Sequence, residues 1–168
     1  MAKIVIISDI HNNEINLKKV LDYCEREKIE TIICCGDMAS KEVLDFMNDT
    51  YSGIILYTYG NADYDDLRDL EEAKKYRNTY IFKDFGEANI EKKAVAFTHY
   101  PQKAKSLART KKYNFVFHGH THKPWEEIID NCKILNPGNV AGDIYPPTFA
   151  IWETDTDKFE LIRIHNLN

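Results

Sequence analysis

Three of the chain's six histidines fall within Phe117-His118-Gly119-His120-Thr121-His122. Imidazoles collect at a strand end because they tolerate partial burial, or at a surface by accident, or because they hold a metal ion. Neutral imidazole is the commonest protein ligand for metals. Other residues able to do chemistry recur in short groups: Asp9 with His11, Gly36 with Asp37, Gly60-Asn61-Ala62-Asp63, and His99. Singly each group is weak. Asp in an Asp-x-His is most often a helix cap or turn residue, and Gly-Asp and Gly-Asn are common turn dipeptides. Their order and placement along the chain carry more weight than any one of them.

That placement depends on the elements between them. Ile4–Ile7 is a short apolar run, fit for a buried strand. Leu17, Val20, Leu21 and Cys24 recur at helical spacing, with Asn13 able to cap the helix. Thr31–Cys35 reads as a second strand. Ser40 can cap a helix whose Val43, Phe46 and Met47 share a face, and Ile54–Tyr57 reads as a third strand. Alternating β-α-β-α-β implies parallel strands joined by crossover helices. Asp65–Arg77 predicts a charged, exposed helix. Strands are then expected at Thr79–Phe82, Ala94–Thr98, Asn114–Phe117, Trp125–Ile129, Lys133–Leu135, Phe149–Glu153 and Phe159–Ile164, with one helix over Gln102–Lys112. Each chemical group follows a strand end, where ligands of α/β sheets bind.

Composition bounds the function. The 168 residues are expected to form a single domain, residues 1–168, with 43% hydrophobic and 29% charged side chains. A net charge of -5 argues against a broad nucleic-acid or anionic-membrane surface. No apolar run approaches a membrane span. Cys24, Cys34, Cys35 and Cys132 form no C-x-x-C and are read as buried free thiols of a reducing cytoplasm.

The ordered set Asp-Ile-His, Gly-Asp, Gly-Asn-Ala-Asp, Thr-His and Gly-His-Thr-His resembles the calcineurin-like metallophosphoesterases. The short chain and Asn136-Pro137-Gly138-Asn139, near that family's Asn-Pro-Gly-Ser, resemble its small YfcE-like phosphodiesterase branch. The resemblance runs from Asp9 to Asn139. It implies an α/β fold of two packed mixed β-sheets flanked by helices, in four layers α-β-β-α, with a two-metal site at the rim. It assigns one metal to Asp9, His11, Asp37 and His122, and the other to Asp37, Asn61, His99 and His120, with Asp37 shared. The implied activity is hydrolysis of small-molecule phosphodiesters by a hydroxide that the dinuclear centre activates, with Asn61 and His99 also touching the phosphate. Nitrogen and oxygen donors without thiolate suit two divalent transition-metal ions, manganese first, with nickel, iron, cobalt or zinc as alternatives. Homo-oligomeric assembly is left open.

One departure stands out. The family commonly places His, and the small branch often Cys, at the position held here by Ala62. Alanine cannot protonate a leaving alkoxide, and a positioned general acid contributes roughly 10²–10⁴-fold in rate. Asp63 is then read as having lost the partner it would orient. The alternative function is therefore a metallophosphoesterase-like binding or scaffold protein, as a retromer subunit is by resemblance; phosphomonoester hydrolysis is less favoured. Asn12 replaces a common Gly and tolerates positive φ. His118 is read as a strand-end residue and not a ligand. Lys103, Lys105, Arg109, Lys111 and Lys112 are read as a solvated helix face, with a basic wall drawing in an anionic substrate as the functional alternative.

Overall fold

Strand β1 (Lys3–Ile7) shows how the layers arise. Successive side chains of a strand point to opposite faces, and here both faces are apolar. Val5 and Ile7 join a core with Leu17, Val20 and Leu21 of helix α1 (Glu14–Arg26), while Ile4 and Ile6 join Phe97, Phe117 and Trp152. The computed structural model describes residues 2–63 and 75–167.

The same alternation repeats in β2 (Thr31–Cys34). Ile32 and Cys34 face the helices, and Ile33 faces the interior between the sheets. β3 (Ile54–Thr58) and β4 (Thr79–Phe82) continue this parallel series. Strands β10 (Thr148–Glu153) and β11 (Lys158–Arg163) add antiparallel neighbours, giving a mixed sheet of order β11-β10-β1-β2-β3-β4. The second sheet holds β5 (Phe85–Ile90), β6 (Lys93–Thr98), β7 (Phe115–Phe117), β8 (Trp125–Ile129) and β9 (Cys132–Asn136), in the order β5-β6-β7-β9-β8. It too is mixed, since β6, β7 and β9 are parallel and β5 and β8 are antiparallel edges.

Three cores separate four layers. α1 and α2 (Lys41–Thr50) cover the first sheet, and the two sheets pack face to face around Phe97, Phe115, Phe117 and Trp152. Ala104, Leu107 and Ala108 of α3 (Pro101–Arg109) pack on Ala96, Val116 and Ile134 of the second sheet. Full burial of a large apolar side chain stabilises by about 1.5–3 kcal/mol, and Trp152, Phe97, Phe117 and Phe149 are all fully buried. This is the expected α-β-β-α architecture.

Three local features differ from the sequence reading. β5 was not expected, because Gly86, Glu87 and Asn89 dilute its pattern. It pairs with β6 through a two-residue turn in which Glu91 and Lys92 have φ of 48° and 66°. Such primed turns are usually signalled by Asn-Gly or Asp-Gly. Ser40 heads α2 without capping it; its hydroxyl donates to Asn12 Oδ1 at 2.6 Å and ties α2 to the loop after β1. Of the helix expected over Asp65–Arg77, positions 65–74 lie outside the described residues, and Lys75–Arg77 are not helical. Asn13 caps α1 as expected, accepting from the Asn16 N–H at 3.0 Å. All four cysteines are buried and free. Among the described residues no helix is long and apolar enough to cross a membrane.

Candidate metal centre

The carboxyl ends of β1, β2, β3, β6 and β7 open onto one rim, and their loops bring all seven expected ligands together. Asp9 follows β1 and is fully buried, as is His99 just after β6. Asp9 Oδ1 lies 3.8 Å from His11 Nε2 and 3.3 Å from His122 Nε2. Asp37 Oδ2 lies 3.5 Å from His11 Nε2 and 3.2 Å from His99 Nε2. Asp37 Oδ2 therefore stands between two groups of donors, and Asp9 Oδ1, 4.0 Å from His99 Nε2, also approaches both. In the second group, Asn61 Oδ1 is 3.1 Å from His99 Nε2 and 2.9 Å from His120 Nδ1. Asp9, His11 and His122 form one cluster whose ligand atoms lie within 4.8 Å of one another, and Asp9, Asp37 and His99 form another.

The donor set suits a cation. His99 Nδ1 faces the Cys35 carbonyl at 2.8 Å and must donate to it, which leaves the Nε2 lone pair for the rim. Asp9 Oδ1 and His11 Nε2 are buried and have no hydrogen-bond partner among the described residues. Unpartnered buried polar atoms are uncommon in native proteins, and an ion is one recognised reason for them. Charge points the same way. Burial alone would raise the pKa of Asp9, but His11 and His122 outweigh it and hold the carboxyl well below the usual range. Asp37 is likewise lowered against its own burial, by His99 and by the Ala62 N–H. The reciprocal effect raises His11, chiefly through Asp9, and raises His99 against burial, through Asp37 and Asp9. Two buried carboxylates thus call for positive charge at this rim.

The local backbone is shaped for the task. Asp9, His11, Asn12, Asp37, His120 and His122 all have φ between 45° and 72°. This left-handed region is uncommon outside glycine, although Asn, Asp and His enter it more readily than other side chains, and residues held there gather at functional sites. Two glycines allow the loops to meet. A Cβ on Gly60 would lie 2.1 Å from Asp37 Oδ1, and one on Gly119 would lie 1.8 Å from Ser8 Oγ.

Several supporting residues carried little sequence signal. Asp63 is buried, and its carboxylate accepts from the N–H of Asp37 at 3.0 Å, Ala39 at 3.0 Å and Gly60 at 2.6 Å. It has therefore not lost its role with residue 62; it fastens the loop after β2 to the loop after β3. Position 62 also contributes, since its backbone N–H donates to Asp37 Oδ1 at 2.7 Å. Asn136 Nδ2 donates to the Gly119 carbonyl and to Thr121 Oγ1, and Asn139 Nδ2 donates to the His122 carbonyl, so both brace the histidine loop. The ring of Tyr100 meets those of His99 and His120 edge-on, with centroids at 5.1 and 5.2 Å.

His118 is buried outside both clusters, with Nδ1 3.0 Å from the Gly119 carbonyl, and burial lowers its pKa. The basic face of α3 is partly neutralised, because Lys103 pairs with Asp84 and Lys105 with Glu127.

Comparison with known proteins agrees with the fold and the motifs. The calcineurin-like phosphoesterase superfamily domain matches residues 2–157. A phosphodiesterase of Methanocaldococcus jannaschii is 31% identical over 163 residues, which cover 95% of this chain and 98% of that protein. A solved archaeal phosphodiesterase superposes with a TM-score of 0.86 at 29% identity, over 96% of this chain and 99% of its own. YfcE, a phosphoesterase from E. coli, shares the fold at a TM-score of 0.69 and 17% identity, over 96% of this chain and 99% of its own. With its motifs at the ends of five strands and a domain match over nearly its whole length, the chain belongs to the calcineurin-like phosphoesterase superfamily.

Proposed function

We propose that the protein is a metal-dependent phosphodiesterase with two divalent transition-metal ions at the rim. One would be held by Asp9, His11, Asp37 and His122, the other by Asp37, Asn61, His99 and His120. The observation that carries this reading is the position of Asp37 Oδ2, within 3.5 Å of His11 and 3.2 Å of His99, one from each group. When bound, such a pair supplies Lewis acidity, which makes water nucleophilic near neutral pH and offsets charge on phosphoryl oxygens.

The chain's own residues do the rest. Against the four positive charges two divalent ions would bring, Asp9 and Asp37 return two negative ones and four neutral imidazoles none, which would leave a positive surplus for an anionic diester. Asn61 and His99 would touch the phosphoryl group and orient it. Asp63 holds Asp37 and Asn61 in mutual register through the Asp37 and Gly60 N–H groups. Ala62 presents only a methyl group, so the chain offers no side-chain proton there to an alkoxide leaving group. Diesters with acidic leaving groups are the substrates this favours. The native metal is proposed as manganese, and the location as cytoplasmic.

The second reading, a binding protein with weak or no catalysis, is favoured by Ala62 alone. The test is hydrolysis of an aryl phosphodiester by chelator-stripped protein before and after reloading with manganese. Activity restored by metal supports the enzyme. Two bound ions with no turnover on any aryl diester would select the binding protein.

A further inference from the structure

A cavity of about 300 Å³ lies beside the histidine loop, lined by His118, Trp125, Tyr145, Lys105, Lys123 and Glu127 among others. None of these is an expected metal ligand. Two of its wall residues neighbour expected ligands along the chain. Its wall includes Thr121, between His120 and His122, and Pro101, two residues after His99. Tyr145 is tied to the same loop, because its carbonyl and that of His122 both accept from Asn139 Nδ2.

The chemistry of the lining is specific. His118 is 3% exposed, yet it lines the cavity. Its Nδ1 faces the Gly119 carbonyl, which can only accept, so Nδ1 carries the proton and Nε2 a lone pair. Nε2 has no hydrogen-bond partner among the described residues, and it is not sealed from its surroundings as Asp9 Oδ1 and His11 Nε2 are. A nearly buried residue that lines the cavity therefore carries an unpartnered acceptor. Trp125 and Tyr145 line the cavity and have 53% and 38% of their surfaces exposed. Aromatic surface of this kind stacks planar groups. Lys105 is held by Glu127 at 3.2 Å, while Lys123 makes no ion pair among the described residues, so the lining carries one surplus positive charge. The volume is at the lower end of the roughly 300–1,000 Å³ of small-molecule sites. That suits one ring-bearing group and not a polymer strand.

We propose that this cavity binds one ester arm of the phosphodiester substrate, and that this arm carries a planar ring with a hydrogen-bond donor on its edge. Trp125 and Tyr145 flank the ring, and His118 Nε2 accepts from its edge. The inference rests on the diesterase reading for its substrate, but the cavity can be tested separately.

The test uses the full chain loaded with manganese and three 4-nitrophenyl diesters whose second arm is methyl, purine riboside or adenosine, joined at the 5′ oxygen. Stacking should raise kcat/KM roughly tenfold from methyl to purine riboside. The exocyclic amine of adenosine should add about fivefold. Both gains should come through KM. Trp125→Ala should bring the purine-to-methyl ratio close to one. In parallel, adenosine 5′-monophosphate should quench tryptophan fluorescence saturably, because Trp125 is half exposed and Trp152 fully buried. Methyl phosphate should not quench. Equal rates for all three diesters, a ratio unchanged by Trp125→Ala, or quenching that never saturates would overturn the proposal. Equal rates for the two purine diesters would remove His118 from it. If no diester is cleaved, the diesterase reading fails, and the fluorescence titration still decides the cavity.

Discussion

Asp63→Asn tests the framework beneath the site without touching an expected ligand. The Asp63 carboxylate is 2% exposed and accepts three backbone N–H bonds, from Asp37, Ala39 and Gly60. Asparagine keeps the shape but retains one acceptor oxygen and turns an NH₂ group towards a backbone donor. At least one bond to a charged acceptor is lost, worth about 1.5–3 kcal/mol, and those that remain fall to the roughly 0.5–1.5 kcal/mol of neutral bonds. The expected destabilisation is about 3–5 kcal/mol. A domain holds about 5–15 kcal/mol in all, so the variant should stay folded but be weakened. Urea unfolding of metal-free wild type and variant, with equal slopes, gives this difference directly. The loops carrying Asp37 and Asn61 would also lose their common anchor, so manganese affinity should fall in the same protein. A variant within about 0.5 kcal/mol of the wild type, the range of ordinary surface changes, would show that Asp63 does not fasten these loops.

His120→Ala and His122→Ala should each lose bound metal while keeping the wild-type circular dichroism spectrum, whereas His118→Ala should keep its metal; loss of metal from His118→Ala would reassign that loop. Without a general acid at Ala62, the rate should depend steeply on leaving-group pKa, with an aryl diester cleaved far faster than an alkyl one. Ala62→His should narrow that gap by up to roughly 10²-fold, with little gain for the aryl substrate. Equal wild-type rates for aryl and alkyl diesters would mean that another group already supplies the proton.

The rim was legible because its residues occupy strand ends, and strand ends show in the hydrophobic pattern. Ile4–Ile7 leads to Asp9, and the Phe115–Phe117 strand leads to His120. The central strands β1, β2, β6 and β7 read as apolar runs because both of their faces are buried. What stayed hidden acts at a distance or through the backbone. Asp63 looked idle because its partners Asp37 and Ala39 lie 26 and 24 positions away and offer only main-chain N–H groups. Asn136 and Asn139 carried the family resemblance, but their bracing of the histidine loop through distant main-chain carbonyls showed only in the fold. β5 escaped because an edge strand needs apolar residues on one face only, and its turn, Glu91-Lys92, lacks the usual Asn or Gly. Lys103 and Lys105 suggested a free basic face because Asp84 and Glu127, which neutralise them, come from other elements.

The central claim is that Asp37 serves two metal ions at once. Wild-type protein and Asp37→Asn should be stripped with chelator, loaded with manganese, desalted and measured by elemental analysis against protein concentration. The account predicts close to two equivalents in the wild type and loss of both ions in the variant, because one carboxylate oxygen lies between the two groups of donors. A wild-type stoichiometry at or below one, or a variant that keeps one ion at full affinity, would contradict it.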